Sequence, residues 1–408
     1  MAVDRGSIAK APPEEFLRAR VARAGTPALD VSRALTARPG IGTREAVGAM
    51  LSARAGEIAI TGDGTRASPV CAVLNASDLA LFCGQNPMLL QRELLASESP
   101  AEVRPLLALS DRMVASALAQ PYDVDDCARM GSALTAAAAE TCVRRSSEAA
   151  RAGVARGWLS FGSLARGEML RASSPSIAAV YDDELASDRN GAGDAACAQW
   201  LDECGLGSGL QTGRSFSEWQ RLYQETAADP LAFDLFARRE FFDVSLLWGD
   251  PTLVGQLSAT LADAIGAGSL LVGLLANDTL EHLPPLTFYR GLVLELDGQE
   301  SAGLDLVRTA LEPVTDAARV FGLSQHSLSV ASTLDRLESA ASLFPQHDRV
   351  LREAADAFRI ALYQQTLAGV PVIQPSTLSR YEQRLLKTAF SSVLRLLDLT
   401  RSLFVGAI

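Results

Sequence analysis

Lysine is nearly absent from this chain. Lys and Arg together number 37, yet Lys10 and Lys387 are the only lysines, so almost all positive charge is arginine. A phosphate-gripping lysine of the P-loop kind is excluded, because no G-x-x-x-x-G-K-[ST] occurs and neither lysine has a glycine-rich neighbourhood. Histidine is almost as scarce. His282, His326 and His347 are scattered with no i,i+4 pairing, which argues against a histidine metal site. The six cysteines (71, 83, 127, 142, 197, 204) form no C-x-x-C pair and read as buried reduced thiols rather than metal ligands. No charge-free run of 18 apolar residues exists, so no transmembrane helix is expected. Basic runs are missing as well, and with a net charge of −11 the chain is a poor general nucleic-acid binder.

What remains is an ordinary globular composition of 48% hydrophobic and 21% charged residues over 408 positions, enough for two or three domains. The start of the chain carries Asp4, Arg5, Lys10 and Pro12-Pro13, not the apolar core of a secretory signal, so a cytoplasmic location is expected, with no membrane contact.

The pattern predicts an α+β, mostly helical protein in five parts. Residues 1–24 read as a polar tail. Residues 25–85 read as a compact β-α-β-β-α unit: a helix from Thr43, strands at Glu57–Thr61 and Val70–Leu74 around the turn Gly62-Asp63-Gly64, and a helix opened by Ser77-Asp78. Residues 86–150 read as a helical linker. Residues 151–265 hold three strands, at Trp158–Phe161, Ile177–Tyr181 and Glu240–Trp248, with flanking helices and an irregular loop from Gly205 to Gly213. From Pro251 onward only helices are expected, and residues 266–408 form a bundle. Ser379 and Glu382 make a capping box at the start of the last helix, whose stripe Tyr381, Leu385, Ala389, Val393, Leu396 and Leu403 reads as bundle core. Trp200, Trp219 and Trp248 are expected in the core.

The informative segment is Leu159-Ser-Phe-Gly-Ser-Leu-Ala-Arg-Gly-Glu168, followed by Ser173-Ser-Pro-Ser-Ile-Ala-Ala-Val-Tyr-Asp-Asp183. A strand ending in Gly-Ser at a helix start offers backbone N–H groups and a hydroxyl to an anion. Gly162 would let a phosphate come close to the chain. The set Gly162, Ser163, Arg166, Gly167, Glu168, Tyr181, Asp182 and Asp183 resembles the bacterial nucleotidyltransferase family that carries CBS domains, a branch of the polymerase-beta-like superfamily. Further elements extend the resemblance in order: Ser215-Phe-Ser-Glu-Trp219, Phe241-Phe-Asp-Val244 with Gly249-Asp250, Pro285-Leu-x-Phe288, Leu304-Asp-Leu306, Arg308, Pro313, Asp316-Ala-Ala-Arg319, Thr333-Leu-x-Arg336 and Arg384-Leu-Leu-Lys387. The resemblance implies a small mixed sheet with flanking helices and a helical C-terminal substrate-binding domain. It also implies nucleotide or phosphate binding by Gly162, Ser163, Arg166, Glu168, Arg308 and Arg319. The pair Asp316 and Arg319 reads equally well as a local i,i+3 ion pair.

The departures from the pattern carry as much information. In active members two aspartates spaced i,i+2 on the strand hold Mg²⁺, which bridges the nucleotide phosphates. Aligned on Tyr181-Asp182-Asp183, those positions are Ser174 and Ser176, and neutral hydroxyls are poor Mg²⁺ ligands. Asp243 stands as the lone retained carboxylate and catalytic candidate. Val307 replaces a lysine of the pattern. The metal site is therefore expected to be degenerate, with no cofactor. Mg²⁺ and ATP belong only to the alternative of an active transferase moving a nucleoside monophosphate onto a protein or small-molecule acceptor.

Residues 70–79 (Val-Cys-Ala-Val-Leu-Asn-Ala-Ser-Asp-Leu) resemble one CBS motif, in which Asn75 and Asp78 take the positions that contact an adenosyl ribose; Asp78 reads equally as a helix cap. CBS motifs work in pairs, so a homodimer through this unit is expected. Three functions stay open: a signalling or regulatory pseudoenzyme that senses adenine nucleotides, an active nucleotidyltransferase, and a scaffold that only binds protein partners.

Overall fold

The computed structural model describes residues 34–75, 86–118, 123–150, 155–170, 173–184, 192–207, 209–265, 270–280, 283–284, 303–325, 332–370 and 372–405. The expected N-terminal tail, Asp78 with its helix, Pro285–Phe288, His282 and His326 lie outside the described residues. Two compact units divide the chain, Met1–Thr141 and Cys142–Ile408.

In the first unit β1 (Thr36–Ala37) leads to α1 (Thr43–Ala53), then to β2 (Glu57–Thr61) and β3 (Val70–Asn75). β1 lies parallel to β2, and β2 pairs antiparallel with β3, with an irregularity between Ile60 and Thr61. Asp63 closes the connection by accepting bonds from Thr65 N and Oγ1, both 2.8 Å. Ile58, Ile60, Ala72 and Leu74 from the sheet meet Ala46, Val47, Met50 and Leu51 of α1 in one buried cluster. The β-α-β-β part of the expected unit is therefore present. Helices α2 (Pro87–Ala96), α3 (Pro100–Leu118) and α4 (Val124–Ala150) follow, as their periodicity predicts. Asn86 caps α2, its side chain accepting from Met88 N and Leu89 N.

The second unit begins within α4. Strand β4 (Gly157–Phe161) runs into the short α5 (Gly162–Arg166), and β5 (Ser176–Tyr181) precedes α6 (Ala192–Cys204). The short β6 (Arg214–Ser215) leads into α7 (Phe216–Ala228), capped by a reciprocal Ser215–Glu218 box. After α8 (Leu235–Arg238) comes a 3₁₀ turn (Arg239–Phe242), then β7 (Val244–Gly249) and α9 (Leu253–Ala264). The sheet order is β6-β5-β4-β7; β4 is antiparallel to both neighbours and β5 parallel to β6. The expected strand Glu240–Trp248 thus splits. Glu240 to Phe242 turn as 3₁₀ because Asp243 N reaches back to Glu240 O at 3.0 Å. Chain reversal at that point aims Glu240 and Asp243 at different surroundings.

The helical half holds α10 (Leu271–Asp278), a π-helical turn (Val307–Leu311), α11 (Glu312–Ser324), α12 (Thr333–Leu343), α13 (Asp348–Ala368) and α14 (Arg380–Thr400). It is not purely helical: Leu304 and Ile373 exchange backbone bonds at 2.7 and 2.9 Å as an isolated bridge. Gly369 ends α13 in the left-handed conformation, and Ser379 and Glu382 cap α14 reciprocally, both as expected. The predicted α14 stripe is met in part: Ala389, Val393 and Leu396 are buried as expected, while Leu385 and Leu403 are only partly buried. Leu386, Ala389, Phe390, Val393, Leu396 and Leu397 are buried, whereas Tyr381 is 70% exposed. A one-residue step turns a helix by about 100°, so Leu385 and Leu386 face different ways, and it is Leu386 that is buried. Of the tryptophans, Trp158 and Trp219 are fully buried, while Trp200 and Trp248 are only partly so.

Candidate functional site

Three aromatic rings fix the frame. Phe161 stacks on Trp219 with centroids 5.3 Å apart, and Phe241 meets both rings edge-on at 5.1 and 5.6 Å. Tyr223 Oη donates to the Phe241 carbonyl at 2.7 Å. The end of β4 and the 3₁₀ turn are thereby held together. Gly162, directly after Phe161, has φ +59, and its N–H donates to the Asp243 carbonyl at 3.0 Å. A Cβ there would be strained in that backbone and would stand 3.5 Å from the Glu240 carboxylate.

Asp243 is completely buried and accepts bonds from three arginines. Arg166 Nη1 lies 2.5 Å from Oδ2, Arg319 Nη2 2.7 Å from Oδ2, and Arg336 Nη1 2.5 Å from Oδ1. Burial by itself favours the neutral acid. The guanidiniums of Arg319, Arg336 and Arg166 overcome it and hold the carboxyl far below the usual range. Arg166 also binds Glu168 at 2.8 Å. Glu168 then accepts from the N–H and hydroxyl of Thr333 at 2.6 and 2.8 Å, occupying one of the open N–H groups that start α12. Burial nevertheless pushes the Glu168 carboxyl above its ordinary pKa, against the pull of Arg166. Asp316 joins Arg319 to Arg239, and Arg239 reaches Glu312 at 3.0 Å. Asp316 and Arg319 are therefore both a local ion pair and part of this longer chain of charges.

Beside the network lies a cleft of about 330 Å³. Gly162, Ser163, Arg166, Glu168 and Arg319 line it, together with Arg239, Glu240, Glu312 and Asp316, against an apolar wall of Leu311, Phe358 and Leu362. Five of the six residues expected at a phosphate site are thus in one place. Arg308 is not among them: its side chain is exposed and its N–H donates to Asp305 Oδ1 at 3.0 Å. Val307 does line the cleft.

Ser174 and Ser176 lie at the start of β5, an inner strand, and are absent from the cleft wall. Ser174 precedes β5 and is exposed, with Gly207 passing so close that a Cβ there would meet its Oγ at 2.5 Å. Ser176 opens β5 and donates to Glu240 Oε1 at 3.3 Å, an oxygen that also accepts from Gln211 Nε2 at 3.2 Å. Burial raises the Glu240 carboxyl above its ordinary pKa, and the Ser176 bond only partly offsets this. Among the described residues no three His, Cys, Asp or Glu side chains gather as a metal site. Asn75 ends β3 in the first unit, opposite Glu57.

Glu240 and Arg239 were given no site role from the sequence, and Arg336 entered only as the end of Thr333-Leu-x-Arg336. Glu240 and Asp243 are three residues apart in Glu-Phe-Phe-Asp, a spacing that signals a turn with two carboxylates. Nothing local announces that one faces a cleft and the other three arginines.

Residues 269–404 match the family model described as "Putative nucleotidyltransferase substrate binding domain", about a third of the chain. No curated protein matches the chain. No helix among the described residues is long and apolar enough to cross a membrane.

Proposed function

We propose that this chain is a nucleotidyltransferase-like regulatory protein whose metal site is degenerate and whose cleft senses an adenine nucleotide. The observation that carries the reading is the state of Asp243. The carboxylate that the resemblance places at the metal is neutralised by three guanidiniums at full burial. Its two companions are the hydroxyls of Ser174 and Ser176. That donor set does not fit Mg²⁺, which prefers anionic oxygen and an open hydration shell.

Arg166, Arg239 and Arg319 supply guanidinium charge to the cleft for a phosphate chain, and Leu311, Phe358 and Leu362 offer an apolar face for a base. The test is calorimetric titration of ATP in EDTA, alongside a transfer assay with labelled nucleotide and Mg²⁺. Binding in EDTA with no transfer is the expected result. Mg²⁺-dependent transfer abolished by Asp243→Ala would overturn it.

One observation favours the active-enzyme alternative. Glu240 lines the cleft beside Gly162, where a carboxylate from an unexpected position would substitute for the missing pair. Loss of measured transfer in Glu240→Gln would select that reading. The first unit is proposed as the dimerising and partner-binding part, with Asn75 and Asp78 as adenosyl contacts; a monomer by light scattering at micromolar concentration would remove the dimer from the proposal.

A further inference from the structure

Cys142 and Cys204 are 62 positions apart in sequence, yet their sulfurs are 3.5 Å apart, with Cys142 donating to Cys204. Both side chains are buried and free. This bond, with burial, raises the Cys142 thiol, and it lowers that of Cys204 against the effect of burial there. Cys204, which accepts the bond and whose thiol is lowered, is the better placed of the two to act as nucleophile. Cys197 stands nearby, but burial pushes it up to about 12, which keeps it an inert thiol.

Placement gives the pair a way to react. Cys204 is the last residue of α6, flanked by exposed Asp202, Glu203 and Gly205. Beyond Cys204 the chain returns directly to the sheet. Gly207 lies on Ser174, a Cβ on Gly209 would sit 1.8 Å from the Pro175 carbonyl oxygen, and Gln211 N–H donates to Ile177 O at 2.7 Å. Gln211 also holds Ser176 and Glu240 through its side chain. The end of α6 thus anchors the segment that covers Ser174–Ser176.

We propose that Cys142 and Cys204 are an oxidative modification site, closing to a disulfide in the presence of hydrogen peroxide and tethering that segment to α4. The Cys204 thiolate attacks one peroxide oxygen and the O–O bond breaks, leaving Cys204 sulfenic acid and hydroxide. Cys142 sulfur then attacks the Cys204 sulfur, and the S–O bond breaks. The hydroxide released at each step takes up a proton, so two thiols and one peroxide give one disulfide and two waters. A bridge of ordinary geometry needs the sulfurs to close from 3.5 Å to about 2.05 Å. This inference does not depend on the chain binding or transferring a nucleotide.

The test is a non-reducing peptide map of the full chain after peroxide treatment and alkylation. Trypsin releases Cys142 within Met130–Arg144 and both Cys197 and Cys204 within Asn190–Arg214, so the Cys197→Ser variant assigns the bridge. The expected result is a Met130–Arg144 to Asn190–Arg214 cross-link in wild type and in Cys197→Ser, reversed by dithiothreitol. In Cys142→Ser, a dimedone adduct should collect on Cys204. Hydrogen exchange should slow across residues 205–211 in the oxidised protein. A wild-type map without that cross-link, a bridge lost in Cys197→Ser, or unchanged exchange in the fully bridged protein would each overturn the proposal.

Discussion

Arg319 Nη2 donates to Asp243 Oδ2 at 2.7 Å, and Arg319 Nε lies 3.2 Å from each oxygen of the same carboxylate. The bond joins α11 to the turn before β7 across 76 positions of sequence. With Arg166 and Arg336 on the same aspartate, it makes the strand half and the helical half of the second unit depend on one buried charge.

Removing that charge should be severe. Asp243→Asn removes the anion that three guanidiniums share, leaving Arg166 with Glu168 and Arg319 with Asp316, and breaking a buried ion pair costs about 3–5 kcal/mol. Urea denaturation should show a lower midpoint for Asp243→Asn, and adding Arg336→Met should recover part of the loss by removing one of the buried cations that faced the lost carboxylate. The pH dependence has a definite sign. The folded pKa of Asp243 is depressed, so its stabilisation is complete above about pH 4, the unfolded value, and is lost progressively as pH falls toward the folded one. Asp243→Asn should flatten the acid limb of the stability curve.

Glu240 has the opposite sign. Burial raises its folded pKa, so the native state holds the proton more firmly and stability falls as pH rises past about 4.3 toward that raised value. Glu240→Gln keeps an oxygen for Ser176 and Gln211 but carries no charge. Its melting temperature should exceed wild type at pH 7, and the difference should vanish below pH 4. Equal melting at both pH values would show that Arg166 and Arg319 compensate the burial fully.

Ser176→Asp tests the metal argument directly. Ser176 Oγ is 3.3 Å from Glu240 Oε1, so the substitution sets two carboxylates side by side. Like charges at that range oppose each other and favour a divalent cation between them. The variant should be less stable than wild type in EDTA and should gain melting temperature on titration with Mn²⁺. Wild type should show no gain.

Close backbone contact over the same site gives a steric prediction. A Cβ on Gly209 would lie 1.8 Å from the Pro175 carbonyl oxygen, so Gly209→Ala forces β5 and the covering segment apart. Overpacking of this kind costs about 1–3 kcal/mol. Gly255→Ala is the contrast: it is an exposed position within α9 with open space around it, and alanine there should stabilise by roughly 0.5–1 kcal/mol. Chemical denaturation of the two variants should therefore move in opposite directions.

The sequence by itself determined the local pieces, because their causes are local. Ser215 with Glu218 and Ser379 with Glu382 each supply both halves of a cap within four residues. Gly62-Asp63-Gly64 turns the chain between β2 and β3, and Gly162-Ser163 ends β4. These signals survive in any tertiary setting. The tertiary structure decided what the charges do. Arg166, Arg319 and Arg336 find Asp243 over separations of 77, 76 and 93 positions, and nothing within one turn of any of them encodes the meeting. The scarcity of lysine takes its meaning there. Guanidinium forks can share one carboxylate through several directed N–H bonds, and within the second unit three of them hold Asp243 as a structural anion.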